Sequence, residues 1–181
     1  MVNPKYNDSI VSAIDIDIKG NAVYKNRLMM LDIVANNNWK RPIYFSGGAF
    51  DNEDYLWMKE FLQLEGMVYK LVPVRTRLPK GSSQIDMGQI DTDIMFDKVM
   101  QWDWGNSESL SIYHDPETRR NSITYRMNLS RLMTKLIAEG KMDKAKKVID
   151  LAMSKMPVDQ FEYYSLVDPF AKGYYLSLIH I

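Results

Sequence analysis

Cysteine is absent from this 181-residue chain, and histidine occurs only twice. Disulfides and thiolate metal sites are therefore excluded, although this absence does not by itself indicate a redox compartment. Long apolar runs are missing too, since none approaches the roughly 18 to 20 residues that a membrane-spanning helix needs. Nor does a basic start precede an apolar segment, as it would in a signal peptide. We therefore expect a chain without a membrane span of its own.

A net charge of either sign is also lacking, because 23 basic residues balance 23 acidic ones. This balance gives no overall attraction to nucleic acid, so we expect no nucleic-acid partner. The charges are unevenly spread, since residues 46–115 hold 12 acids and 6 bases and residues 116–155 hold 10 bases and 4 acids. Two solvated surfaces that attract each other are the simpler interpretation, and a basic docking face for an anionic partner is the alternative.

The N-terminal part of the chain alternates strand and helix patterns. Residues 13–19 (AIDIDIK) alternate apolar and acidic side chains, which predicts a strand with one buried face. Residues 25–37 predict a helix with an apolar stripe, and a run of asparagines ends it. Pro42 starts a second strand that runs to Ser46, and its apolar residues predict cover by helices on both faces.

A further helix and strand complete this pattern. The helix is predicted from about residue 51 to Glu65 and ends at Gly66, and a third strand covers residues 67–74. The order strand–helix–strand–helix–strand favours parallel pairing with right-handed crossovers. We therefore predict a small parallel α/β layer in a domain that spans residues 1–80.

The domain boundary is predicted where turn-forming residues accumulate. Residues 81–114 form a linker, in which Asp91 or Thr92 caps a short helix that precedes a tryptophan-rich turn. Helical patterning then fills a region over residues 115–175. The last six residues, 176–181 (LSLIHI), resemble translated adapter sequence, so we predict a non-native tail there.

Two helices dominate the C-terminal region. Asp115 and Pro116 begin the first, Gly140 ends it, and the second covers residues 141–156 before Pro157. Two antiparallel helices with a short glycine turn form an αα-hairpin. Six positions have the spacing of a tetratricopeptide repeat (TPR): Leu132, Gly140, Ala145, Ile149, Ala152 and Pro157. The predicted fold class is α/β followed by all-α with a TPR-like hairpin, although stacked repeats usually need about three units.

Three segments occur in an order that resembles a known family. Residues 31–45 (LDIVANNNWKRPIYF), 65–73 (EGMVYKLVP) and 139–145 (EGKMDKA) are similar to the soluble C-terminal part of a family of bacterial multipass membrane proteins. That family is related to protein O-mannosyltransferases of the GT-C type, which use lipid-linked sugar donors. The resemblance covers residues 13–175, and the Trp-to-Phe part of the first segment is its most distinctive feature.

The resemblance implies a membrane-embedded N-terminal half of the same parent protein, which would be the partner of this module. That half would carry the acidic catalytic residue, so the resemblance transfers no catalytic residue to this sequence. It also implies that the soluble half faces the periplasm and binds a protein or glycan acceptor. A cytoplasmic location is the alternative.

Two Asp-x-Asp pairs are the best candidates for chemistry, because such pairs hold divalent cations in some soluble glycosyltransferases. Asp15 and Asp17 fall on the predicted wet face of a strand, and Asp91 and Asp93 fall at a helix start, where acids are favoured anyway. A glycine pair follows the second strand, but both phosphate-binding glycine fingerprints are missing. We therefore predict no catalytic residue, no metal ligand and no cofactor.

Four residues form a candidate interaction surface: Trp102, Trp104, Arg119 and Arg120. The two tryptophans flank a carboxylate, an arrangement that can hold a sugar, although tryptophan also buries area where elements pack. Arg119 and Arg120 lie near a helix start, where the macrodipole disfavours a cation. We therefore expect acidic residues or a ligand to hold them in place.

Three functions are compatible with these observations. The first is a non-catalytic, extracytoplasmic accessory module of a GT-C glycosyltransferase-like membrane protein, which binds a protein or glycan acceptor. The second is a free-standing TPR-type adaptor for protein interactions, which would need further repeats. The third is a soluble, metal-dependent α/β glycosyltransferase that holds its metal on Asp91 and Asp93.

Overall fold

The computed structural model describes residues 2–16, 18, 21–46, 58–77 and 86–179. For residues 177–179 it describes the backbone only. The chain forms two compact units, residues 1–91 and residues 92–181. The boundaries predicted from sequence, after residues 80 and 114, stay predictions, and so does the non-native tail.

The elements follow one another with short connections. Unit 1 contains α1 (Lys25–Asn36), β1 (Tyr44–Ser46), β2 (Leu62–Glu65) and β3 (Val68–Leu71), after a 3-10 turn at Pro4–Ser9. Unit 2 contains α2 (Thr92–Val99), α3 (Pro116–Ala138), α4 (Met142–Lys155), α5 (Val158–Phe161) and α6 (Asp168–Ile179), with a 3-10 turn at Tyr164–Leu166 before α6. Among the described helices, none combines the length and the apolar composition that crossing a membrane requires.

The sheet of unit 1 is antiparallel, with the strand order β1-β3-β2. The predicted parallel pairing is therefore wrong. The reason is the turn at Gly66, whose φ of +76° lets the chain reverse over two residues, so that β2 and β3 form a hairpin. Crossover helices are required only between parallel strands, and a tight hairpin removes that requirement.

Two predicted elements are replaced by other structure. A helix is expected from about residue 51 to Glu65, and residues 51–57 of it lie outside the described residues. In the rest of that range the structure has a 3-10 turn at residues 58–61 and then β2. Leu62-Gln63-Leu64-Glu65 alternates apolar and polar side chains, and this period of two prevails over the helical pattern. The strand expected at residues 13–19 is absent in its described residues, although Ile14 and Ile16 still pack against the core.

The core of unit 1 lies between α1 and one face of the sheet. Met58, Phe61 and Leu71 are buried, and Met30, Val34 and Phe45 pack against them along with other apolar side chains: Val11, Ile14, Ile16 and Ile43. The prediction that helices cover both faces of β1 is wrong, because Tyr44 is 43% exposed while Phe45 faces the core. The predicted positions of α1 and β1 are confirmed, and β3 lies within the third predicted strand.

A polar network lies on the sheet of unit 1. Glu65 is 5% exposed, accepts hydrogen bonds from the Gln63 amide (2.8 Å) and the Tyr44 hydroxyl (3.2 Å), and lies 3.7 Å from the Lys70 ammonium. A buried carboxylate is tolerated only when its charge and its lone pairs are matched in this way. These side chains therefore satisfy one another across all three strands.

The helical hairpin of unit 2 is confirmed. Asp115 accepts the backbone N–H of Thr118 at 2.9 Å and caps α3, and Pro116 occupies the first turn. Gly140 has a φ of +71°, and the N–H of Lys141 returns to the carbonyl of Leu136, which ends α3 and starts α4. α6 packs against both helices of this hairpin.

The close packing of unit 1 yields a test at Gly88. A Cβ at Gly88 would lie 2.9 Å from two ring carbons of buried Tyr69 and 3.1 Å from the backbone nitrogen of Leu64, and its φ is +80°. We expect Gly88→Ala to lower the free energy of unfolding by about 2–4 kcal/mol, since strain and overpacking add. Urea denaturation measures this loss.

The matched control is Gly140→Ala. Gly140 also has a positive φ, but a Cβ there meets no atom within 4 Å, so only the backbone strain of about 1–2 kcal/mol applies. Equal losses for the two variants would show that the contact with Tyr69 does not restrict residue 88.

Candidate functional site

Three aromatic rings form a cluster in unit 2, which we call the aromatic cluster. The rings of Trp102 and Trp104 lie 5.6 Å apart, edge to face, and those of Trp102 and Tyr125 lie 5.5 Å apart. Trp104 also contacts Tyr125 at 5.6 Å in a tilted arrangement. Edge-to-face and tilted contacts at this distance are favourable between aromatic rings, so the three side chains hold one another in place.

The turn after α2 sets the direction of both tryptophans. The N–H of Trp102 donates to the Val99 carbonyl at 3.3 Å, and Asp103 accepts the Gly105 N–H at 2.9 Å. Gly105 and Asn106 both have positive φ values, which reverses the chain after Trp104. The sequence Trp-Asp-Trp therefore places both rings against Tyr125 of α3 and leaves Asp103 exposed between them.

The three rings are half-buried, so each has one part packed against the fold and another part that a ligand can contact. The indole nitrogen of Trp104 is buried and has no hydrogen-bond partner in the described part of the chain. A buried tryptophan N–H usually finds an acceptor, because an unmatched donor loses its hydrogen bond to water. An aromatic surface beside the exposed carboxylate of Asp103 can take a sugar ring or an apolar side chain.

The two candidate arginines have acidic neighbours, as expected. Arg119 donates to Glu162 at 2.7 Å, and Arg120 lies 3.8 Å from Glu117 with both side chains largely exposed. By helix geometry Arg119 lies roughly 120° around α3 from Tyr125. Different sides of α3 therefore contact the two tryptophans and carry the ion pair of Arg119.

Sequence reasoning missed Arg126, which is fully buried beside this ion pair. Its guanidinium donates to the carbonyl of Met156 at 2.8 Å and to the carbonyl of Glu162. These carbonyls lie at the C-terminal ends of α4 and α5, where a cation is favoured. Burial lowers the pKa of Arg126, which still stays charged at physiological pH.

A signal for Arg126 does exist in the sequence. It stands among buried positions of α3 at helical spacing, three residues before Leu129 and four after Ser122. A charged residue in an apolar stripe predicts a partner in the core. The sequence does not predict which carbonyl is the partner. The carbonyl of Glu162 reaches Arg126 through a turn in which Glu162 and Tyr163 both have positive φ values, and no local sequence pattern predicts that turn.

Asp93 is the second feature that sequence reasoning did not resolve. Its carboxylate accepts from Lys144 at 2.8 Å and from Lys141 at 2.9 Å. Lys141 also bonds Thr92 and lies 3.0 Å from Glu139, which in turn accepts from the Thr92 hydroxyl at 2.6 Å. We call these five residues the lysine–carboxylate cluster. The cluster joins the start of α2 to the turn between α3 and α4.

The charges of this cluster shift one another's pKa values. Hydrogen bonds from Lys144 and Lys141 lower the pKa of Asp93 to about 2, against the desolvation that raises it. Hydrogen bonds to Asp93 and Glu139 raise the pKa of Lys141. Both groups are therefore held in their charged forms across the physiological range.

The proposed metal pair has other partners. Asp91 is 1% exposed and pairs with Lys5 at 3.0 Å within unit 1, while Asp93 is bound by two lysines within unit 2. Within the described ranges no three potential ligands gather as a metal site would require. A lysine ammonium on a carboxylate competes directly with a cation for the same oxygens.

The lysine–carboxylate cluster yields a pH test. A carboxyl group with a depressed folded-state pKa stabilises the fold above its unfolded value of about 3.9 and loses this contribution as the pH falls towards about 2. Asp93 is 44% exposed, so we expect Asp93→Asn to cost at most about 1 kcal/mol at neutral pH. Urea denaturation from pH 7 to pH 2 should show this difference shrinking below about pH 4. A difference that stays constant would contradict the assignment.

The hydrogen bonds from buried Arg126 to the ends of α4 and α5 yield a stability test. We expect Arg126→Met to lower the free energy of unfolding by about 2–4 kcal/mol, because the carbonyls of Met156 and Glu162 lose a charged donor. Arg120→Met is the matched control, since Arg120 is 72% exposed and should change stability by less than about 0.5 kcal/mol. Similar losses of unfolding free energy for the two variants would show that the hydrogen bonds of Arg126 to the helix ends do not stabilise the fold.

Comparison with known families gives one match. Residues 1–94 match the family described as TMEM260-associated domain 2, which is more than half of the 181 residues. No curated protein and no solved structure matches the chain. The match indicates an accessory domain of a TMEM260-like membrane protein, whereas the kinship with bacterial protein O-mannosyltransferases stays a prediction. The chain belongs to the family of the TMEM260-associated domain 2.

Proposed function

We propose that this accessory domain is non-catalytic, that its parent is of the GT-C glycosyltransferase type, and that unit 2 binds a protein or glycan acceptor. The observation that carries the proposal is the family match, since it associates unit 1 with a TMEM260-like membrane protein. The membrane-embedded part of that protein is the proposed partner, and the periplasm, or an equivalent extracytoplasmic space, is the proposed location.

The charges of the described residues support a non-catalytic role. Asp91 and Asp93, the best candidates for metal-dependent transfer, are each bound by lysine. Their oxygens are engaged in holding the fold, so a divalent cation would have to displace an ammonium group. A soluble metal-dependent glycosyltransferase is for this reason the least favoured of the three functions.

The aromatic cluster is the proposed acceptor surface of unit 2. Trp102 and Trp104 are half-buried, held rigidly by Tyr125, and separated by the exposed carboxylate of Asp103. Rigid aromatic side chains bind at a low entropic cost, and a carboxylate can accept hydrogen bonds from sugar hydroxyls. Arg120, which is exposed on another side of α3, is a candidate for a separate contact with a protein acceptor.

A TPR-type adaptor is the second candidate function. The α3–α4 hairpin supports it, because Ala145 and Ala152 are fully buried and let the helices approach closely, and α6 then packs on both. Gly173 of α6 lies against Met133 so tightly that a Cβ would come within 2.5 Å of the sulfur. An alanine at a fixed position is part of the tetratricopeptide pattern.

The acceptor surface is testable with the purified chain and a panel of immobilised oligosaccharides. We expect selective binding, and we expect Trp102→Leu/Trp104→Leu to weaken it by roughly 5-fold to 150-fold, since aromatic contacts contribute about 0.5–1.5 kcal/mol each. Trp39→Leu is the matched control, because Trp39 is 54% exposed in unit 1.

Two outcomes would count against this surface. If no oligosaccharide binds, the glycan part of the proposal is wrong, and a protein acceptor is what remains of it. If the double variant binds as well as the native chain while keeping its thermal midpoint, the aromatic cluster is a packing element only.

A further inference from the structure

Helix α1 exposes apolar side chains that a compact unit would normally bury. None of its residues is buried, and Leu28, Met29 and Ile33 are 61%, 57% and 61% exposed. Met30 and Val34 already contact the core of unit 1, so the exposed residues do not belong to the core-facing stripe. By helix geometry Leu28 lies close to the direction opposite the core, and Met29 and Ile33 follow around one side of α1. Lys25 and Asp32 lie between Leu28 and Met29. A helix that is apolar on several sides is expected to contact more than its own core.

Exposed aromatic residues border α1 at both ends. Tyr24 precedes the helix and is 71% exposed, and Trp39 follows it and is 54% exposed. Trp39 and Asn38 have φ values of +56° and +47°, a conformation that bulky residues rarely adopt. The turn is fixed by Asn37, whose side chain donates to the Arg41 carbonyl at 2.7 Å. The strained turn keeps the indole of Trp39 out of the core.

The charges around α1 are mainly positive. Residues 24–41 contain four bases (Lys25, Arg27, Lys40 and Arg41) and one acid, Asp32. Asp32 accepts a hydrogen bond from the Asn36 amide at 2.8 Å, and this neutral donor leaves its negative charge unchanged. An anionic surface is therefore the complementary partner for this side of unit 1.

We propose that α1 and the turn at residues 37–41 seat the chain on an anionic lipid surface. Trp and Tyr are favoured at the level of the lipid headgroups, and lysine and arginine extend their charges towards anionic lipids while their stems stay in apolar surroundings. Leu28, Met29 and Ile33 then enter the boundary with the acyl chains. The lipid surface accounts for apolar, aromatic and basic side chains together. This inference goes beyond the acceptor-binding role and does not depend on it.

The test is co-sedimentation of the purified chain with vesicles. We expect a partition coefficient at least about tenfold higher on phosphatidylcholine vesicles that contain about one-third phosphatidylglycerol than on phosphatidylcholine alone. Raising the salt from roughly 0.1 M to 0.5 M should reduce it, because screening weakens exposed charges. Asp32→Asn should strengthen binding a few-fold, since it removes the acid that opposes the lipid charge.

Leu28→Asp/Ile33→Asp should reduce partition at least about tenfold, because both side chains then carry charge into the interface. Both residues are exposed, so the variant should keep the native circular dichroism spectrum. Leu110→Asp is the matched control, since Leu110 is 89% exposed in unit 2 and should leave binding unchanged.

Three results would overturn the proposal. Equal partition on both kinds of vesicle would show that the basic residues do not attract the chain to anionic lipid. Undiminished partition of Leu28→Asp/Ile33→Asp would remove the role of α1. A dimer in sedimentation velocity that this variant abolishes would assign the same surface to a second copy of the chain instead.

Discussion

Lysine pairing with Asp93 links α2 to the α3–α4 turn in unit 2 and commits the best candidate metal ligand to holding the fold. Lys141 and Lys144 stand at the start of α4, Asp93 stands at the start of α2, and their hydrogen bonds hold the turn between α3 and α4 against α2. The same bonds occupy both carboxylate oxygens. A residue that could have held a metal is thereby part of the framework of unit 2.

The elements that sequence reasoning predicted correctly are those whose signals are local. Asp115 and Pro116 mark the start of α3, Gly140 marks its end, and the helical spacing of apolar residues marks its buried side. α1 was found in the same way, from its apolar periodicity and the asparagines that follow it. Signals of this kind require only a few neighbouring residues, so a single sequence contains all of the information needed.

The elements that sequence reasoning missed depend on contacts between segments, which the pattern of one segment alone does not show. Residues 62–65 carry both a helical and an alternating pattern, and only pairing with β3 across Gly66 decides for the strand. The antiparallel direction of the sheet follows from that hairpin and not from the order of elements. Arg126 and Glu162 meet because α4 and α5 end close to α3, a coincidence in space that no spacing along the chain encodes. The same holds for the candidate site, where the tryptophans were found as residues but their contact with Tyr125 was not.

Non-catalytic function is the central claim, and it is tested most directly by calorimetric titration of the chain with manganese and a nucleotide sugar. Because Asp93 is bound by Lys141 and Lys144, and Asp91 by Lys5, the account predicts no saturable heat beyond that of dilution. Saturable heat that disappears in Asp93→Asn would contradict it and would restore the metal-dependent glycosyltransferase.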